Sequence, residues 1–280
     1  MTFPTLTDGA VGTELLRGGL ALQNGCDSAN LQHPELVARV HRTYRRAGAD
    51  ILTTNTFGAN RFRLARVDLP DKTAEINRAG VALARSAAQG ATVAGSIGPT
   101  GEQKDLPASE RLRAAYREQA AALEGVDLYT CETFGDVREL RAAIQGIADV
   151  SNRPIFAQMT YTADGCTPLG LTPRDVVDEI SDLPIHAIGV NCAVGEPTVE
   201  QVLAELGEAT DLPLVARPNA GQPRMLRGAW IYPIGPAAFA DLIARLAGQA
   251  AIVGGCCGTT PAHIAAARQR FEPLGQAVPG

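Results

Sequence analysis

One feature constrains the fold more than any other: eight short apolar runs alternate with longer stretches of helical period, over about 250 residues, the length a (β/α)8 barrel needs. The runs read as strands are "TLTD" (5–8), "ADILTTN" (49–55), "ATVAGS" (91–96), "VDLYTCE" (126–132), "PIFAQMT" (154–160), "HAIGVNC" (186–192), "PLVARPN" (213–219) and "AAIVGG" (250–255). Between them lie helix candidates such as "HPELVARVHRTYRRAG", "DKTAEINRAGVALARSAAQG", "ERLRAAYREQAAALEG", "PTVEQVLAELGEAT", "GPAAFADLIARLAG" and "PAHIAAARQRF". Proline or aspartate often precedes them and glycine often follows, the start and stop asymmetry of helices. The strands are too apolar to have a wet face, so they belong in a parallel sheet covered by helices. A doubly wound open sheet is the alternative. No linker, charge block or low-complexity run divides the chain, so residues 1–280 are expected to form one α/β domain, a (β/α)8 TIM barrel.

Barrel enzymes build their sites at the C-terminal ends of the strands. Those positions hold Asp8, Asn55 with Thr56, Ser96, Glu132 with Thr133, Asn191 with Cys192, Asn219, and Cys256 with Cys257. The stretch "GGCCGT" (254–259) sets two cysteines side by side between glycines. A disulfide between neighbours would be strained. Inert packing is open to them, because free cysteine behaves as a small hydrophobe. A metal site is the third reading. Cys192 ends the sixth strand and the pair ends the eighth, with only the seventh between, so the three thiols can converge at the barrel mouth. That convergence favours zinc, which takes four tetrahedral ligands and here would keep one position open. Three thiolates leave such a complex with a formal charge of about −1, so bound water would be a poor nucleophile while a substrate thiol would stay electron-rich.

The remaining cysteines and histidines read blandly. Cys26 ("NGCDS") and Cys166 ("DGCTP") lie in loops as exposed spare thiols, and Cys131 alternates outward to pack against helices. None of His33, His41, His186 and His263 is a persuasive ligand. Asp8 has two readings, as a cap for the turn "GAVGTELL" or as a site residue. Glu132, at a strand end, is favoured for the site.

Bulk properties exclude several partner classes. Hydrophobic residues at 45% and charged residues at 20% are ordinary for a soluble globular chain. A net charge of −5 gives no reason to expect nucleic acid or an anionic membrane. No uncharged apolar stretch reaches the ~18 residues of a membrane span, and "TFPTLTDGAVGTELL" has no signal-peptide pattern. Six unevenly spaced cysteines do not form a disulfide framework, so a reducing cytoplasm is expected.

Together the motifs resemble the zinc-dependent homocysteine S-methyltransferase family, in family order and nearly end to end. They are "DGAVGTEL" (8–15), "TNTFGANRFRL" (54–64), "GSIGPTG" (95–101), "YREQAAAL" (116–123), "ETF" (132–134), "GVNC" (189–192), "RPNAG" (217–221) and "GGCCGT" (254–259). The resemblance implies a barrel that moves a methyl group from an activated donor to the thiol of L-homocysteine, giving L-methionine. It implies Zn²⁺ held by Cys192, Cys256 and Cys257. It also implies a substrate ammonium held by Asp8 and Glu132, and a carboxylate met by backbone N–H groups of the "GAVGT" turn from Gly9 to Thr13. The strand-end residues Asn55, Ser96 and Asn191 complete the expected substrate site.

A sulfonium donor, S-methylmethionine or S-adenosylmethionine, is favoured, with Phe57, Trp230 and Tyr232 as aromatic faces for its charge. The alternatives are a methyl-corrinoid protein, which would have to arrive separately because the chain shows no cobalamin or folate module, and selenocysteine or another small thiol as acceptor. A non-catalytic zinc or thiol sensor is disfavoured, since a structural metal site has no need of paired carboxylates. The ending "PLGQAVPG" (273–280) leaves no room for the C-terminal extension of betaine-using relatives, so neither a betaine donor nor their tetramer is expected.

Overall fold

A computed structural model describes residues 4–21, 25–101, 106–193, 195–226 and 229–271; the ending at 273–280 lies outside them. Eight parallel strands form one sheet: β1 (Thr5–Leu6), β2 (Ile51–Thr53), β3 (Thr92–Ile97), β4 (Leu128–Phe134), β5 (Ile155–Met159), β6 (Ala187–Asn191), β7 (Leu214–Arg217) and, after a hairpin, β10 (Ile252–Val253). Neighbours follow chain order, and β10 pairs with both β7 and β1. The ring closes where Thr7 bridges Ile51, with Asp8 N–H donating to the Ile51 carbonyl at 2.9 Å and Asp50 N–H to that of Leu6 at 2.7 Å. The sheet is therefore a barrel and not an open doubly wound sheet.

The sequence-based strands run longer than the observed ones at several polar ends. "TLTD" and "AAIVGG" each contribute only two residues to regular strand. Beyond them Thr7 keeps a single bridge to Ile51, and the other residues of the two runs lie in the connecting loops. The antiparallel hairpin β8 (Arg224–Leu226) and β9 (Ala229–Ile231) is an insertion between β7 and the next helix, and no sequence expectation covered it.

Local signals explain the helices. Pro34–Arg46 starts on proline and turns Val37, Ala38, Val40, His41 and Tyr44 inward, the three-to-four spacing of one buried face. Thr172 and Asp175 form a reciprocal capping box at Pro173–Ile180, and Asp136 caps Val137–Ala148. Leu140, Ile144 and Ile147 of the latter are fully buried, worth about 1.5–3 kcal/mol each. Among the described residues no helix is long and apolar enough to cross a membrane.

Strand alternation sorts the interior into layers. On β4, Tyr129 and Cys131 face the helices as part of the main core, while Leu128 joins Ile51, Ala94 and Phe156 inside the barrel. Above that apolar floor the lining turns polar, with Thr7, Thr53, Thr130, Gln158 and Arg217 around a small cavity. Glu132 is the next inward position of β4, which brings it to the mouth.

Candidate active site

The three expected thiols meet. Their Sγ atoms all lie within 4.8 Å of one another, and Cys192 and Cys257 are 3.6 Å apart. Unusual backbone makes this possible. At the end of β6, Asn191 Oδ1 accepts from Thr133 N–H and its Nδ2 donates to Thr133 Oγ1, both at 2.7 Å. Thr133 (φ 64°) and Cys192 (φ 56°) both lie in the left-handed region, which costs non-glycine residues energy and persists where surrounding bonds impose it. Cys192 is further tied by its N–H to the Arg217 carbonyl and by its carbonyl to Thr160 Oγ1, each at 3.2 Å.

The facing loop is equally constrained. Gly255 N–H donates to the Asp8 carbonyl at 3.1 Å, Cys256 N–H to that of Pro218 at 2.8 Å, and Ala220 N–H to that of Cys257 at 2.9 Å. A side chain at Gly255 would collide with Thr259, and Gly258 adopts φ +81° against the Tyr232 ring. The glycines flanking the cysteine pair thus let the loop pass through a space too narrow for side chains.

Packed this closely, the thiols cannot all ionise. Hydrogen bonds from Cys192 and Cys256 hold Cys257 well below the usual thiol range, aided by the Tyr232 hydroxyl. Its two neighbours pay in the opposite sense: hydrogen bonds to Cys256 and Cys257, then burial, push Cys192 up. For Cys256 the bond to Cys192 acts downward but is outweighed by the bond to Cys257 and by burial. A divalent cation would let all three exist as thiolates. Zn–S bonds of about 2.3 Å in a tetrahedron place sulfurs about 3.8 Å apart, close to the Cys192–Cys257 separation, so the donor set fits the metal. Asn191 Nδ2 lies 3.7 Å from Cys256 Sγ, where it would orient that sulfur toward a metal.

Beside the thiols lies a buried charged trio. Asp8 accepts from Thr53 N–H at 2.7 Å and from the Thr53 hydroxyl. Glu132 accepts from the Ser96 hydroxyl through Oε1 and from Arg217 Nη1 at 2.8 Å through Oε2. Arg217 Nη2 sits 3.6 Å from Asp8 Oδ1. Burial raises Asp8 to about 7 against the opposing pull of Arg217 and Thr53, and burial likewise raises Glu132. Asp8 does not cap the first helix: Val11–Arg17 has Ala10 at its N-cap and no side-chain cap bond.

The other expected site residues divide. Gly9 is buried where a side chain would strike Thr259 and the Tyr44 ring, and the buried Thr13 hydroxyl has no partner among the described residues. Asn55 directs its amide to the Cys26 carbonyl (2.7 Å) and Asn30 Oδ1 (3.0 Å), bracing loops rather than joining the thiols. Phe57 packs against Gly98 and under the Arg63 guanidinium at 5.1 Å. Trp230 is 59% exposed on the hairpin, while Tyr232 faces Cys257. Cys131 is fully buried, as expected. Cys26 departs from the exposed loop thiol expected of it: it is half-buried, packs on the main core, and is pushed up to about 11 by burial. His263 bonds Thr260 and the Ile234 carbonyl, a structural role.

Arg217 escaped the sequence-based site. A signal existed, because "PLVARPN" places an arginine on the inward phase of an apolar barrel strand, where a buried cation demands partners.

The family model described as homocysteine S-methyltransferase matches residues 5–271. The methionine synthase of Mycobacterium tuberculosis is 34% identical over 281 aligned residues, covering 92% of this chain and 24% of the relative. That of Mycobacterium leprae is 33% identical and is covered to 23%. The chain thus spans about a quarter of the length of these curated relatives. The crystal structure of the homocysteine methyltransferase MmuM from Escherichia coli, in its metallated form, superposes with a TM-score of 0.81 at 29% identity, covering 96% of both chains.

Proposed function

Because this chain belongs to the homocysteine S-methyltransferase family, we propose that it methylates the thiol of homocysteine from a sulfonium donor, with zinc held by Cys192, Cys256 and Cys257. The observation that carries this is the cluster of three sulfurs within 4.8 Å, beside two buried carboxylates.

A free thiol with a pKa of ~8.5 is only a few per cent ionised at neutral pH, and deprotonating it costs about 2 kcal/mol at pH 7. Zinc held by Cys192, Cys256 and Cys257 would remove that cost by stabilising the thiolate form. The chain's residues do the rest. Asp8 and Glu132 hold the substrate ammonium, backbone N–H groups between Gly9 and Thr13 meet its carboxylate, and the thiol is thereby aimed at the three cysteines. Trp230 and Tyr232 offer aromatic faces to a sulfonium cation on the solvent side. In-line attack needs the donor carbon within about 3–3.5 Å of the sulfur. The new bond joins the homocysteine sulfur to the methyl carbon. The donor's carbon–sulfur bond breaks with its electron pair kept by the leaving sulfur, so methionine and a neutral thioether result.

A second reading, with a methyl-corrinoid protein as donor, draws support from the methionine synthase relatives. Zinc-loaded protein assayed with homocysteine, selenocysteine and other small thiols against S-methylmethionine, S-adenosylmethionine and a methyl-corrinoid protein separates these. The proposal expects turnover with homocysteine and a sulfonium donor. Turnover only with the corrinoid protein would replace the donor, and preference for another thiol would replace the acceptor.

A further inference from the structure

We propose that Arg217 is a positioning residue whose forked guanidinium ties Asp8 to Glu132 and sets the amino-acid pocket to take one ammonium group. The proposal rests on the reading that these two carboxylates hold the substrate ammonium. Asp8 follows β1 and Glu132 lies on β4, on opposite sides of the rim. Arg217 ends β7 and reaches both, with Nη1 2.8 Å from Glu132 and Nη2 3.6 Å from Asp8. Side-chain exposures of 5% for Arg217, 0% for Asp8 and 9% for Glu132 put the trio out of bulk water.

Charge and geometry give the arginine its role. Two buried carboxylates converging on one place repel, and an adjacent cation that never deprotonates eases that repulsion and favours the ionised form of each. The trio carries a formal charge of −1, which one ammonium brings to zero. A thiol lacking that group leaves a buried negative charge uncompensated. Each carboxylate also has a partner of its own, Thr53 for Asp8 and Ser96 for Glu132, and among the described residues the guanidinium links the two. Below, Arg217 Nε and Gln158 Oε1 border the small cavity and have no partners among the described residues. The orientation of the fork is therefore set by the carboxylates above it and not by the barrel floor. Arg217 acts through Asp8 and Glu132, so its effect belongs in substrate capture more than in the methyl-transfer step.

The test compares Arg217→Lys and Arg217→Gln with Glu132→Gln, using zinc-loaded enzyme, homocysteine and 3-mercaptopropionate, with homocysteine affinity also measured by direct titration without donor. A lysine ammonium is a compact point charge without the rigid planar fork that here holds the two carboxylates in a fixed relation. Arg217→Lys should therefore raise the homocysteine KM and Kd about tenfold, with kcat within about threefold and zinc content unchanged. Arg217→Gln should cost more, and 3-mercaptopropionate kinetics should barely move in either variant. If Arg217→Gln fails to fold, Arg217→Lys decides alone. Wild-type homocysteine affinity in Arg217→Lys overturns the proposal, as does tighter binding, which would make Arg217 a competitor for the ammonium seat. Equal losses for both thiols overturn it too. If Glu132→Gln selectively weakens homocysteine while Arg217→Lys does not, the ammonium reading stands and only the proposal falls. If neither variant distinguishes the two thiols, the ammonium reading falls and takes the proposal with it.

Discussion

Cys192 and Cys257 lie 65 positions apart in the chain, and their sulfurs are 3.6 Å apart. Strand β7 separates the strands that bear them, so each must lean across it. Cys192 does so from a left-handed backbone fixed by its own hydrogen bonds, after the Asn191–Thr133 pair. Cys257 does so from a loop that glycine keeps narrow. The energetic cost of that backbone is borne at the point where three sulfurs have to converge.

Their closeness predicts an oxidative vulnerability. A mild oxidant should join Cys192 to Cys257, release bound zinc and abolish activity, and reductant with zinc should restore it. Cys26→Ser and Cys166→Ser should respond to oxidant as the wild type does and keep nearly full activity. Peptide mapping of the oxidised protein checks the pairing, and a large activity loss from either of those two substitutions would point to the wrong cysteines.

Glu132→Gln separates amino-group recognition from metal chemistry. Loss of a charge-assisted hydrogen bond of about 1.5–3 kcal/mol corresponds to roughly a ten- to hundredfold fall in kcat/KM for homocysteine. Zinc content should hold, and 3-mercaptopropionate should be a poor substrate of the wild type and lose little more in the variant. Steady-state kinetics with both thiols decide it; equal losses would assign Glu132 to the chemistry or the fold.

The pH dependence of homocysteine capture should show an acidic limb near 7. Burial raises Asp8 to about 7 in the folded protein, and only its ionised form attracts an ammonium. As pH falls through that value Asp8 takes up a proton, so kcat/KM should drop toward about tenfold per unit below it. The ratio of Kd values for homocysteine and 3-mercaptopropionate from pH 8 to 6 cancels the thiol's own ionisation and measures this, and a ratio flat with pH would remove Asp8 from the ammonium site.

Stability should carry a separate signature from His41. It is fully buried, both ring nitrogens lack partners among the described residues, and burial lowers it to about 4. A histidine held below its unfolded value of 6.5 favours the neutral form, so its contribution is intact above 6.5 and fades as pH falls toward 4. The full loss is about 3 kcal/mol. In denaturant melts across that window the wild type should lose stability relative to His41→Leu as pH falls; a difference that stays constant with pH would contradict the assignment.

Much of this was legible in the chain because strand ends and helix faces leave local signatures. The eight apolar runs each yielded a barrel strand, and Cys192, Cys256 and Cys257 could be brought together from strand order alone. What escaped depends on contacts that no local pattern encodes. Asn55 sits at a strand end as a site residue would, but its amide is taken by Asn30 and the Cys26 carbonyl. Cys26 looked like an exposed loop thiol until tertiary packing half-buried it. Arg217 is the reverse case, a charge on an apolar strand whose meaning appears only once Asp8 and Glu132 converge on it.

The central claim, that three thiolates hold one zinc at the barrel mouth, is tested most directly by metal analysis of purified protein. Wild type should bind one zinc per chain, and Cys192→Ser, Cys256→Ser and Cys257→Ser should each lose most of it together with nearly all methyl transfer to homocysteine. Full zinc retention in the Cys256→Ser and Cys257→Ser proteins would contradict the account.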